Sequence, residues 1–279
     1  QVAWLPDHRH SAYLDEVRTL AEARGWRGEP AIVFEGNAPA DIRQNAPLVC
    51  LIESPRWPTS VAAPHVWLGE PVAIKEPTGL ALRRQSGANL LIVGQRDDTS
   101  AALLGAALLS LSSQQAPQAA RFVIFGGGEE EPAVRGLRNV AALLPQPTQW
   151  VAARDMPAAI AELAGETQRR LEEGAADAPR VYLLIWGLQR YRALRRREDT
   201  FSFSAPDEAA TPATDRQFAE LLREGPSLGL HTLVWSDTLA TLERTLERQA
   251  LREFDHRVLF QMSAADSSRM RSGTPTLPM

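Results

Sequence analysis

Apolar positions along this chain follow two different grammars, and the change comes near residue 89. Before it, Tyr13, Leu14, Val17, Leu20 and Ala21 recur at helical spacing, which predicts a helix over residues 13–24. Short apolar runs predict strands at 31–34 and 49–52, with a turn at 35–39 between them. Prolines are frequent over 54–77, so that stretch reads as short extended pieces, with 72–74 a strand at best. After residue 89, strands and helices alternate. Strands are predicted at 89–93, 121–125, 150–152, 181–186, 230–235 and 257–261. Helices are predicted at 100–111, 134–144, 157–173, 189–196, 217–223 and, in one or two pieces, 239–254. Continuously apolar strands separated by helices indicate an α/β fold whose parallel sheet is covered on both faces. Residues 201–214 are polar and proline-containing and read as a mobile loop. From residue 269 the hydrophobic pattern stops, so 269–279 reads as an irregular tail. The expected organisation is therefore an N-terminal α/β segment, or the end of a preceding module, over 1–69, a core over 70–268, and the tail.

Composition narrows the class. The 279 residues are 44% hydrophobic and 23% charged, as in ordinary globular chains. A net charge of −4 argues against global attraction to nucleic acid, so a contact with DNA needs a local basic patch. Cys50 is the single cysteine, within the apolar run Leu48-Val-Cys-Leu-Ile52, and is expected to be a buried small hydrophobe. With no intrachain disulfide available, the chain suits a reducing cytoplasm. No apolar run approaches the roughly 18–20 residues that cross a bilayer, and no signal peptide precedes the first helix. The chain opens on Gln1, which suggests a piece of something longer. The expectation is a cytoplasmic module, with any membrane anchor elsewhere in its parent.

The most informative local feature is the strand–loop–helix around residues 88–105. Gly94 fits the first position of the phosphate-binding pattern G-x-x-x-x-G-K-[ST]. The later positions fail: Thr99 replaces the second glycine, Ser100 the lysine and Ala101 the hydroxyl that holds Mg²⁺. Asp97 and Asp98 lie inside the loop, where they repel a triphosphate. Residues Gly94, Gln95, Arg96, Asp97, Asp98, Thr99, Ser100 and Ala101 thus form a degenerate nucleotide loop. The alternative is a plain strand–turn–helix that never bound nucleotide.

A second strand of such an ATPase ends in a carboxylate that holds Mg²⁺ and polarises water. Here residues 181–185 run into Trp186, Gly187 and Leu188, with no acid. The glycines after Phe125 are followed by Glu129, Glu130 and Glu131, which favours a solvated turn over an anion nest. Arg190, Arg192, Arg195, Arg196 and Arg197 concentrate positive charge on a predicted helix, either for phosphates or an acidic neighbour, or as a solvated face balanced by Glu198 and Asp199. The five histidines show no metal-ligand spacing, and His231 reads as a satisfied core residue. Ser236-Asp237 at a strand end lacks a partner base and reads as a turn.

Several of these segments resemble the FtsK/SpoIIIE family of P-loop motors. Gly87-Ala-Asn-Leu-Leu-Ile-Val-Gly94 resembles the entry to the family's motor loop, and Val181-Tyr-Leu-Leu-Ile-Trp-Gly187 its second catalytic strand without the acid. Residues 221–234 are similar to the segment before its sensor strand, and 71–74 to the short strand that introduces the motor core. Residues 254–262 with Asp266-Ser267-Ser268 are similar to its closing strand and the turn that follows. These landmarks occur in order over roughly residues 70–268. The resemblance implies a RecA-like P-loop NTPase core whose relatives form rings that pump double-stranded DNA. Multi-core relatives drive type VII protein secretion, some of their cores being degenerate.

With the lysine, hydroxyl and acid all replaced, the expected function is a catalytically inactive module of a larger translocase, acting in assembly, regulation or partner binding. No catalytic residue, metal or cofactor is expected. Expected partners are other ATPase cores of the same parent, in a ring, and a DNA or secreted-protein substrate. Two alternatives stand beside it. One is an active DNA translocase using ATP and Mg²⁺, with Arg96 replacing the lysine. The other is a nucleic-acid-binding module using residues 190–197.

Overall fold

The structure, a computed structural model, describes residues 4–26, 28, 39–59, 61–70, 75–128, 131–175, 178–196 and 213–271. The strands expected at 31–34 and 72–74, Arg197, nearly all of the 201–214 loop and the tail beyond residue 271 lie outside them. The chain divides into two compact units, residues 1–39 with 72–75 and residues 40–71 with 76–279. In the first, helix α1 (Asp7–Ala23) begins after Pro6, a residue suited to a helix entry, and contains the predicted helix. None of its residues is buried, and its apolar stripe of Tyr13, Leu14, Val17 and Leu20 is exposed.

The second unit opens with a departure from expectation. Residues 49–52 are not a strand but part of helix α2 (Ala46–Glu53). Asn45 decides this locally: its Oδ1 accepts the Leu48 backbone N–H at 3.0 Å, and Pro47 occupies the first turn, where no N–H is needed. Only Leu48 of this helix is buried, so Cys50 is exposed rather than part of a core. Strands β1 (His65–Gly69) and β2 (Thr78–Ala81) then pair antiparallel.

The rest is one layered α/β core. Its elements are β3 (Leu90–Val93), α3 (Asp97–Ser113), β4 (Ala120–Gly126), α4 (Pro132–Ala142), β5 (Thr148–Val151), α5 (Met156–Glu173) and β6 (Arg180–Trp186). They continue with α6 (Thr214–Glu224), β7 (Leu230–Ser236), α7 (Leu239–Thr245), α8 (Arg248–Arg252), β8 (His256–Leu259) and α9 (Ala264–Arg271). The six strands lie in the order β5-β4-β6-β7-β3-β8, and every pairing is parallel. Because strand side chains alternate, Leu91, Val93, Phe125, Leu183, Ile185 and Val234 meet α5–α9, while Leu90, Ile92, Ile124, Leu184, Trp186 and Trp235 meet α3 and α4. The continuous apolar runs of β3, β6 and β7 are buried along their whole length, as strands covered on both faces require.

Two further expectations change. Residues 189–196 are not a helix but two short 3-10 turns, Leu188–Arg190 and Arg192–Leu194. Leu188, Tyr191 and Leu194 are the buried positions, and a period of three selects 3-10 winding over the 3.6 of an α-helix. Residues 264–271, expected as the end of the core and the start of a tail, form α9. Asp266, Ser267 and Ser268 lie in its first turns rather than in a turn, with Asp266 N–H on Ser263 Oγ. Met270 is buried in the core, and its carbonyl accepts Arg257 Nη1 at 2.6 Å.

The foot of the sheet is tied by buried polar groups. Asn89, fully buried, donates from Nδ2 to the carbonyls of Leu222 and Glu253 at 3.0 and 2.8 Å and accepts the Thr232 N–H at 2.8 Å. One side chain thus joins β3, β7, α6 and the end of α8. His231 is satisfied as expected, with Nδ1 2.8 Å from the Ala88 carbonyl and Nε2 3.2 Å from Arg180. With Nδ1 donating and Nε2 accepting, the ring is neutral, and burial pulls its pKa down to about 3.

Two predictions follow from these buried groups. Asn89→Ala orphans three buried backbone groups and is expected to cost about 4 kcal/mol in urea unfolding. His231 binds no proton in the folded state below its unfolded pKa of about 6.5, whereas the unfolded chain does, so stability falls with pH from there to about 3. Its contribution by pH 5 is a loss of about 2 kcal/mol relative to pH 7. Urea unfolding across this range should lose close to one proton's worth of slope in His231→Gln.

Candidate functional site

The loop that the sequence singles out is shorter than a phosphate cradle. β3 ends at Val93 and α3 begins at Asp97, leaving Gly94, Gln95 and Arg96 between them. Asp97, Asp98, Thr99, Ser100 and Ala101 are not loop residues but the first turns of the helix. The helix starts early because its own acids complete its N-terminus, where carboxylates suit the free N–H groups. Asp98 shows this: a hydrogen bond from the Thr99 backbone, and then Arg96, hold its carboxyl below the ordinary carboxylate range. Arg96 Nη2 lies 3.3 Å from Asp98 Oδ2. The positive end of the helix and its nearest arginine are thus both answered by the chain itself. Ser100, at the lysine position, is fully buried on the inward stripe of α3, and its Oγ has no hydrogen-bond partner.

The head of the sheet beneath α3 is filled with aromatic rings. Gly94 N–H donates to the Ser236 carbonyl at 3.0 Å, and the Gly94 carbonyl accepts Trp235 Nε1 at 2.9 Å. Trp186 stands where the resemblance would place an acid, fully buried, its ring 4.1 Å from that of Trp235. Register places Trp186 opposite Gly126 on β4, and the ring of Trp150 from β5 lies over Gly126, 1.9 Å from where a Cβ would sit. Indoles from β7 and β6 are therefore in contact near the carboxyl edge, and that of β5 covers Gly126 on the strand beside them. Gly94 adopts a φ of +151°, and a Cβ there would lie 2.4 Å from the Phe260 ring.

Among the sequence-predicted arginines, Arg190 differs from the others in its surroundings. Arg190 is bound in a bidentate pair, Nη1 to Glu131 Oε1 at 2.7 Å and Nη2 to Oε2 at 2.8 Å. Arg192, Arg195 and Arg196 are exposed on the 3-10 turns and the extended residues after them, Arg196 beside the open cleft between α6 and α7–α8. Arg197 lies outside the described residues. Glu131, expected in a plain solvated turn, is instead the partner of Arg190. Among the described residues no group of three or more His, Cys, Asp or Glu is arranged to hold a metal ion. The cluster of indoles was missed by sequence reasoning. Its signal was present: two apolar strands each carry a tryptophan near their carboxyl end, and glycine follows a third strand's apolar run.

Comparison with solved structures fixes the architecture. The chain superposes on Thermomonospora curvata EccC (ATPases 2 and 3) in complex with a signal sequence peptide, with a TM-score of 0.50 and 17% identity, over 86% of this chain and 39% of that one. It superposes on the cytoplasmic domain of the Type VII secretion ATPase EccC of the same organism with a TM-score of 0.52 and 15% identity, over 90% of this chain and 26% of that one. The fold, a mostly parallel six-stranded sheet flanked by helices, is similar to that of these ATPase domains. The α/β architecture expected from the sequence is thus observed, and these neighbours are secretion ATPases rather than DNA motors. The chain spans between a quarter and two fifths of their lengths. No family model and no curated protein matches its sequence. Among the described residues no helix is long and apolar enough to cross a membrane.

Gly94→Ala should be poorly tolerated, because the backbone angle disfavours a side chain and Phe260 occupies its space. The expected cost is about 2 kcal/mol, read as a lowered urea midpoint with an unchanged slope.

Proposed function

We propose that this chain is a catalytically silent ATPase core of a larger translocase, kept for packing against competent cores and for binding partners. The observation that carries the reading is the head of β3. The three-residue loop, the acidic first turn of α3 and the Trp186–Trp235 pair beside Gly94 support it. The donor set does not fit ATP and Mg²⁺: the lysine position is a buried serine, the acid position is an indole, and two carboxylates face the phosphate end. No catalytic step is assigned to nucleotide here.

The architecture of EccC supports a module of a multi-core machine, and the signal sequence peptide held by one EccC structure favours a polypeptide over DNA as the cargo of that machine. Other cores of the same parent are the first partners on this reading, in a ring or stack. The active-translocase alternative requires Arg96 to act as the missing lysine, but Arg96 is engaged with Asp98. Of the arginines in the nucleic-acid alternative, Arg190 is paired with Glu131 in the free chain.

The test is equilibrium titration of a fluorescent ATP analogue, with and without Mg²⁺, against wild type and Arg96→Ala. No saturable binding is expected up to millimolar nucleotide in either protein. Micromolar, Mg²⁺-dependent binding that Arg96→Ala abolishes would overturn the reading.

A further inference from the structure

A second place on the carboxyl edge is built around Arg190, away from the degenerate loop. β4 leads into α4 on one face of the sheet, while its neighbour β6 leads through the 3-10 turns to α6 on the other. The region beyond the carboxyl ends of strands whose connections diverge in this way is the usual ligand position in open α/β sheets. Two glycines, one beyond each strand, admit the guanidinium. A Cβ on Gly187 would lie 2.6 Å from Arg190 Nε, and one on Gly128 would lie 2.7 Å from Nη1. Both have positive φ, +76° and +85°, which glycine adopts without strain. Tyr191, the next residue, fixes the same loop by accepting the Gly127 N–H at 3.0 Å on its hydroxyl, and burial pushes its pKa up to about 12. The backbone has thus been cleared and pinned to seat one arginine fork.

The occupant of that fork is a carboxylate from the same chain. Glu131 places both oxygens on the two Nη atoms, the planar bidentate geometry by which arginine recognises carboxylates. The pair is not sealed: the two side chains keep 26% and 39% of their surface exposed. Such a pair is weak enough for another carboxylate to compete. Glu131 also has a second home. It is the N-cap residue of α4, yet its side chain makes no capping bond there. A displaced Glu131 would remain beside the free N–H groups of α4, where its charge is favoured.

We propose that Arg190 is a recognition site for an acidic side chain or terminal carboxylate of a partner polypeptide, closed in the free protein by Glu131. Binding exchanges one carboxylate for another on the same fork, so Glu131 acts as an intramolecular competitor that sets the threshold for the partner. This inference stands on the geometry around Arg190 alone and does not depend on whether nucleotide binds at β3.

The test uses a hexaglutamate peptide, followed by fluorescence anisotropy at fixed ionic strength, with the Arg190 Nε–H signal in ¹⁵N spectra as the local readout. Glu131→Gln keeps the size of the side chain and removes the competitor, and should bind about fivefold more tightly than wild type. Arg190→Lys, which keeps the charge but loses the fork, should abolish the gain when combined with Glu131→Gln and weaken binding in the wild-type background. In wild type the peptide should shift the Arg190 Nε–H signal. Equal affinity for wild type and Glu131→Gln, a lysine as good as the arginine, or a silent Arg190 signal would each overturn the proposal. Inorganic phosphate competing better than acetate would overturn its carboxylate assignment.

Discussion

Everything at the candidate site depends on the seating of β3 between β7 and β8. At its foot Asn89 holds β7, α6 and the end of α8 through three hydrogen bonds. At its head the Gly94 carbonyl receives the Trp235 indole, and the Gly94 N–H is spent on the Ser236 carbonyl. A strand fixed at both ends in this way cannot open its terminal loop without breaking buried hydrogen bonds. An open loop with free N–H groups is what a phosphate cradle needs. The fold is similar to that of ATPase cores, while the backbone N–H and carbonyl of Gly94 are both committed internally.

The two edges of the sheet thus serve different ends. The foot is a polar network in which Arg180, His231 and Asn89 are buried and satisfied, giving one register and one neutral histidine. The head is a mixture of aromatic packing and close glycine contacts. Trp150, Trp186 and Trp235 fill space on the α3 and α4 side, Gly126 making room for Trp150 and Gly94 for Phe260. Trp150 Nε1 and Trp186 Nε1 are buried without a hydrogen-bond partner, so these two rings are held by packing, whereas Trp235 is also hydrogen-bonded. The exception is Arg190, for which the glycines clear a polar seat.

Much of the fold was legible in the sequence because its signals are long and local. The runs at 181–186 and 230–235 are buried on both faces, and nothing but a central parallel strand accommodates such continuity. Where the signal was short, a neighbour outside the window decided the outcome. Asn45 and Pro47 made a helix of residues that read as a strand, and a three-residue burial period made 3-10 turns of a basic stretch that read as a helix. At the candidate site, the sequence showed Thr99, Ser100, Ala101 and Trp186 at the positions that the resemblance singles out. The contacts around those positions were not legible. The Trp186–Trp235 contact and the Arg190–Glu131 pair join residues 49 and 59 positions apart, and only the strand order brings them together.

The most direct test of this account is the Trp235 indole N–H, whose hydrogen bond to Gly94 closes the head of β3. In ¹⁵N spectra it should exchange slowly with solvent, protected by burial and by that bond, and neither its shift nor its exchange should change with millimolar ATP and Mg²⁺. A rapidly exchanging indole, or one displaced by nucleotide, would mean that the loop opens and that the core retains a working nucleotide site.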